Sequence, residues 1–198
     1  TIDAGNSGTL GRLILGLLIN FENKITLIGD KSLSKRDFSR VIEPLKKIGI
    51  NFYPAQKFKL PIYIKGSDYL RPINYFENRG SAQCKTCIML ASLNVPGITK
   101  IKAKVSRDHT EKMFRSLNIP MKIKKTSKYD YITVSRPDFI KKIDFNIPGD
   151  ISSAAFFIVL TLLSKNSKLT IKNININPSR IGVIKILNKM GAKIQFKN

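Results

Sequence analysis

The sequence predicts an α/β fold built from repeated β-α-β-α-β-β units, with apolar helices inside and sheets outside. Three observations lead to that expectation. Two independent series of landmarks recur with one period of about 70 residues. One helix of each unit is apolar nearly all round, which marks it as interior. Each unit also ends its outer helix on a glycine or asparagine, the residues that tolerate a left-handed cap.

The first series runs from a β-rich stretch through a turn with Ser and Arg into an amphipathic helix. Its members are Ile25–Asp30 leading through Arg36 to Leu45–Ile50, Ile101–Arg107 leading to Phe114–Ile119, and Leu169–Lys172 leading through Arg180 to Leu187–Ala192. Their predicted caps, Gly49, Asn118 and Gly191, lie 69 and 73 residues apart. The second series opens the apolar helices at Asn6-Ser7-Gly8-Thr9, Gly80-Ser81-Ala82-Gln83 and Gly149-Asp150-Ile151-Ser152-Ser153. Ser7, Ser81 and Ser152 are 74 and 71 residues apart, and small or hydroxyl residues there are typical helix starts. The apolar helices themselves are Leu10–Ile19, Thr86–Leu93 and Ala154–Leu163. Hairpins are expected at Phe58–Ile64 and at Ile119–Val134, with Tyr129-Asp130 between its strands. Ile2–Asn6 reads as the end of a strand, and with Thr1 in first place the chain is expected to be partial.

Composition narrows the function classes. Of 198 residues 42% are hydrophobic, too many for a disordered chain, and no apolar run reaches the roughly 18–20 residues of a membrane span. Lys and Arg number 35 against 13 Asp and Glu, a net charge of +22. The cations are 26 Lys and nine Arg spread along the chain, beside 29 Ile and 15 Asn. Scattered lysines without interleaved aromatics argue against nucleic acid as the partner, while the positive field suits small anions. Cys84 and Cys87 are three apart in an apolar segment, with His109 the sole histidine. Neither a four-ligand metal site nor a disulfide framework can be assembled, so both read as packing residues of a reduced, cytoplasmic protein. No metal and no cofactor is expected.

Helix starts carry unpaired N–H groups and a partial positive charge, and so bind anions. Gly8 admits a ligand to the backbone, Thr9 offers a hydroxyl, and Ser81 and Gln83 offer donors with Lys85 on the next turn. Arg36 and Arg107 each follow a strand in the turn before a helix, where bidentate pairing to carboxylate or phosphate is natural. Against this stands the plain structural reading: Ser and Asn as caps, the arginines solvated, Asp150 a turn and cap residue, His109 a surface residue. Spacing alone describes an anion-binding repeat protein.

Five motifs take the reading further. Asp3-Ala4-Gly5-Asn6-Ser7-Gly8-Thr9 with Arg12 resembles the phosphoenolpyruvate-site motif of the 3-phosphoshikimate 1-carboxyvinyltransferase (EPSP synthase) family. Gly29–Arg36 looks like that family's next segment. Gly80-Ser81-Ala82-Gln83-Cys84-Lys85, Ser106-Arg107-Asp108-His109-Thr110-Glu111 and Pro148–Ala154 resemble three more, in family order. Two positions depart from the family pattern: Asp37, where Pro is common, and Leu10-Gly11 before Arg12.

The resemblance implies an enolpyruvyl transferase-like architecture of two domains, an inside-out barrel of three repeats each. Residues 1–146 would form most of one domain and 147–198 the beginning of the second. It implies transfer of the enolpyruvyl group of phosphoenolpyruvate to the 5-hydroxyl of shikimate 3-phosphate by addition–elimination, a step of aromatic amino acid biosynthesis. Asn6, Gly8, Arg36 and Gln83 would bind phosphoenolpyruvate; Ser81, Ala82, Gln83, Ser106 and Arg107 would bind shikimate 3-phosphate. Thr9 and Arg12 are less specific. The family's catalytic Lys and Asp have no match in this chain, which is therefore expected to be inactive alone, and monomeric. The rivals are a UDP-N-acetylglucosamine enolpyruvyl transferase and a basic RNA-binding repeat module without enzymatic activity.

Overall fold

The computed structural model describes residues 1–55 and 57–197. They fall into two compact units, Thr1–Lys141 and Lys142–Asn198. The first holds two complete repeats. One comprises β1 (Ile2–Asp3), α1 (Gly8–Leu17), β2 (Ile25–Ile28), α2 (Ser39–Ile48), β3 (Asn51–Tyr53) and β4 (Ile62–Lys65). The other comprises β5 (Asn74–Glu77), α3 (Ala82–Ala91), β6 (Ile98–Lys104), α4 (His109–Ser116), β7 (Met121–Lys125) and β8 (Tyr129–Ser135). The sheets have the same strand order, β1-β2-β4-β3 and β5-β6-β8-β7. In each the first pair is parallel and the rest antiparallel. This is the β-α-β-α-β-β unit that the period predicts.

The strands alternate as a sheet with one buried face should. Ile101, Ala103, Ile132 and Val134 are buried on one side, while Phe76 and Tyr131 stand exposed on the other. Gly49, Asn118 and Gly191 have φ of 119°, 55° and 97°, so all three predicted left-handed caps are present. The hairpins differ in detail from expectation. In the first, β3 pairs with β4, so 58–64 supplies only the second strand. Pro54 and Pro61, which cannot donate to a ladder, bracket the connection. In the second, the turn is Thr126–Lys128, closed by Thr126 N–H to the Tyr129 carbonyl at 2.9 Å. Tyr129 and Asp130 thus lie within β8, Asp130 opposite Lys125.

Helices α1 and α3 lie side by side and parallel. Gln83 reaches Thr9 at their starts and Asn20 reaches Asn94 beyond their ends, pairs each 74 residues apart. The period of the sequence is therefore a set of contacts. The approach is close because Gly16 has no side chain: a Cβ there would stand 2.3 Å from the Cys87 carbonyl oxygen. The cysteines are packing residues, Cys84 2% and Cys87 0% exposed. Cys84 does one thing more. Pro44 lies inside α2 and has no N–H for the Arg40 carbonyl one turn back. The Cys84 thiol donates to that oxygen at 2.9 Å, and burial, then Glu77, pushes the thiol up to about 12, keeping it a donor.

The second unit contains α5 (Ile151–Leu163) and α6 (Gly182–Lys189). One expectation fails here. Leu169–Lys172 is not a strand; among the described residues the repeat keeps a single parallel bridge, Gly149 to Ile174, too little for a ladder to form on. Helix α5 is covered on one side. Ile151 and Ala154 are buried with Ile184 of α6, but Phe156 and Leu163 are each 80% exposed and Phe157 and Leu160 62%. A helix apolar on every side needs neighbours on every side, and α6 covers one. Asp150 caps α5, accepting from Ser152 N–H at 3.1 Å, the turn and cap role expected of it.

Candidate functional site

Parallel pairing decides where the site residues gather. β1 and β2 end together, Asp3 opposite Ile28, and so deliver Asn6–Thr9 and Asp30–Arg36 to one edge. β5 and β6 end together, Glu77 opposite Ala103, and deliver Ser81–Gln83 beside Ser106 and Arg107. The carboxyl edge of parallel strands is where α/β folds place ligands.

Each helix start is braced from the strand behind it. Asp3 accepts the Gly5 N–H at 2.8 Å. Buried Glu77 accepts the N–H groups of Arg79 at 3.0 Å and Ser81 at 2.9 Å. Ser7 caps α1 through Leu10 N–H at 3.1 Å, and Ser81 caps α3 through Cys84 N–H at 3.2 Å. Ala82, first residue of α3, can act only through its backbone and by packing. Glu77 escaped the sequence reading, although its place 74 residues after Asp3 was a usable signal.

On the α1 side, Gly8 sits under two guanidinium groups. A Cβ on it would meet Arg12 Nη1 at 3.0 Å and Arg36 Nη1 at 3.1 Å. Gln83 joins the two repeats, donating to Thr9 Oγ1 and accepting from Arg12 Nη1, both at 3.0 Å. Gly8, Arg36 and Gln83 are thus brought together, with Arg12, the least specific candidate, at their centre. Arg12 loses proton affinity through burial first, then through Arg40 and Arg36. Crowded cations of this kind make a field prepared for an anion.

The acids nearby are engaged in bracing. Asn6 donates to Asp30 Oδ2 at 2.5 Å, and Leu33 N–H to Asp30 Oδ1 at 2.6 Å. The Asn6 bond, then Leu33, holds the Asp30 carboxyl below its ordinary value. Asp37 takes the amide and hydroxyl of Ser39 at 2.9 and 2.5 Å. Burial opposes its ionisation, but Ser39, Arg40 and Arg79 outweigh it, and its carboxyl is also held low. This acid is therefore tied to the start of α2.

On the other side, Ser106 Oγ is buried and takes no hydrogen bond among the described residues, while Arg107 is exposed. Lys85 is not available to an anion, contrary to expectation. It is 0% exposed and paired to Glu111 Oε1 at 2.5 Å, tying α3 to α4. His109 is exposed, the first residue of α4. Among the described residues no group of three His, Cys, Asp or Glu could hold a metal, and no helix is long and apolar enough to cross a membrane.

A family model described as EPSP synthase (3-phosphoshikimate 1-carboxyvinyltransferase) matches residues 1–198. A 3-phosphoshikimate 1-carboxyvinyltransferase of Endomicrobium trichonymphae is 41% identical over 198 residues, covering 100% of this chain and 45% of the relative. One from Staphylococcus aureus (strain JH9) is 46% identical, covering 98% and 44%. The fold is similar to a solved EPSP synthase from Acinetobacter baumannii, with TM-score 0.83 and 34% identity over 100% of this chain and 44% of that one. The chain spans about half the length of the curated relatives it matches.

Proposed function

The chain belongs to the EPSP synthase family, and on that premise we propose that the protein it represents transfers the enolpyruvyl group of phosphoenolpyruvate to the 5-hydroxyl of shikimate 3-phosphate. One observation carries this reading. Gln83 links the start of α3 to Thr9 of α1 and to Arg12, so two anion-suited helix starts share one side chain. A reaction that condenses two anions needs such a junction, where both are held at near-attack distance.

In this reading Asn6, Gly8 and Arg36 bind phosphoenolpyruvate. Ser81, Ala82, Ser106 and Arg107 bind shikimate 3-phosphate, and Gln83 touches both. The unpartnered Ser106 hydroxyl supports the second half, since a buried polar atom without a partner is costly until a ligand supplies one. Protonation of phosphoenolpyruvate at C3 and attack of the hydroxyl at C2 give a tetrahedral adduct that expels phosphate. The residues here contribute position and positive field; the acid–base groups belong to the remainder of the protein. The unpaired, buried thiols of Cys84 and Cys87 suit a reducing cytoplasm, and the enzyme acts as a monomer.

Two measurements test this. The full-length protein should release phosphate only when both substrates are present; no release rejects the assignment. Calorimetric titration of the present chain with shikimate 3-phosphate, beside Arg107→Ala, isolates the second half-site. Weak binding lost in the variant supports the residue assignment, and binding unchanged in it refutes the role of Arg107.

A further inference from the structure

Arg12 is only 7% exposed. Its Nη1 donates to Gln83 Oε1 at 3.0 Å and to the Gly8 carbonyl at 3.4 Å, and its Nη2 donates to the Asp37 carbonyl at 3.1 Å. The guanidinium lies 5.0 Å from the centre of the Phe38 ring. These partners come from three segments far apart in sequence: the first turn of α1, the residue after Arg36, and the first turn of α3.

A guanidinium can only donate. The Gln83 atom facing Nη1 must therefore be the carbonyl oxygen, and the amide nitrogen is turned away from Arg12. That nitrogen lies 3.0 Å from Thr9 Oγ1. One of its two hydrogens serves the threonine and the other is left for a ligand. Without Arg12 nothing would prevent a half-turn of the amide, which would aim an oxygen at an incoming anion.

We infer that Arg12 is a positioning residue: it locks Gln83 into presenting its NH2 group to anionic substrate. The inference rests on the enolpyruvyl-transfer reading of the site. It gives Arg12 no contact with substrate, so Arg12 and Gln83 should behave as one unit.

The test uses the full-length protein with Arg12→Gln, Gln83→Ala, the double variant and Gln83→Glu. Glutamate keeps an acceptor for Arg12 and loses the N–H donor, so Gln83→Glu should melt at or above the parent's temperature. Its KM for each substrate should rise about tenfold or more, the worth of a hydrogen bond to a charged group. Arg12→Gln should raise KM alone but add little to Gln83→Ala. Fully additive losses, or unchanged KM in Gln83→Glu, overturn the inference. A readout independent of turnover is the Gln83 side-chain amide NMR signal of the parent. Arg12→Gln should move its two proton resonances toward the shifts of a solvent-exposed glutamine amide, and unchanged shifts also overturn the inference. If the parent itself fails to turn over, the functional reading falls while the resonance test of Arg12 still decides.

Discussion

In the first two repeats the helix start rests on a parallel strand pair and on an acid at the strand's end, Asp3 or Glu77. The third repeat has a start of the same kind without the sheet. Asp150 caps α5, and Arg180, the counterpart of Arg36 and Arg107, donates to Asp150 Oδ1 at 2.9 Å and to Ser152 Oγ at 2.5 Å. The local motif thus survives where the ladder is reduced to one bridge. A cap and its arginine, 30 residues apart, need only one contact to be made, whereas a strand pair requires partners along its whole edge.

Charge pairs differ in the same way. Lys85–Glu111, in the second repeat, is 0% and 3% exposed; Arg180–Asp150, in the third, is 24% and 54% exposed. The first is a dry tie between helices and the second a wet one at a helix end. Removing one partner of a buried pair strands a charge, so Lys85→Ala should cost about 4 kcal/mol in urea unfolding. A cost near 1 kcal/mol would show that the two pairs are alike after all. Replacing both partners together, Lys85→Met with Glu111→Leu, should recover most of the loss.

The next effect probes the contact between α1 and α3. Gly16→Ala drives a methyl against the Cys87 carbonyl, and overpacking of backbone on backbone should cost about 3 kcal/mol, read from the same urea curves. A loss below about 1 kcal/mol would mean that α1 and α3 can separate freely.

Smaller is the loss of the α5 cap. Asp150→Ala should cost about 1 kcal/mol, seen as faster hydrogen exchange in the first turn of α5. The Ser152 N–H, then Arg180, holds the Asp150 carboxyl below its ordinary value. A lowered carboxylate pKa means stability that is present above the unfolded value of about 4 and is lost as pH falls. Parent and Asp150→Ala should therefore differ at pH 7 and converge in acid; a gap that persists at pH 2 would contradict the capping role.

The smallest effect is expected at Phe156, 80% exposed on α5. Phe156→Ser should change the stability of this chain by no more than about 0.5 kcal/mol. Leu15→Ala, at a residue 0% exposed on α1, should cost about 2–5 kcal/mol. Equal losses would place α5 among the buried helices.

What could be read from residues alone was local and periodic. The 74-residue offset between helix starts, the left-handed caps at Gly49, Asn118 and Gly191, and the β-α-β-α-β-β order depend on chemistry within a turn or two. So do the family motifs and the residues they name. Tertiary structure decided which of those residues are free to act. Lys85 and Arg12 look equally cationic in the sequence. One is consumed by Glu111, and the other becomes the clasp between Gly8, Asp37 and Gln83. The fate of Leu169–Lys172 and of α5 was likewise not written locally, because a strand or an all-apolar helix is completed only by what packs against it. Propensity and capping act within a few residues, whereas pairing and burial depend on neighbours that the chain brings together only by folding.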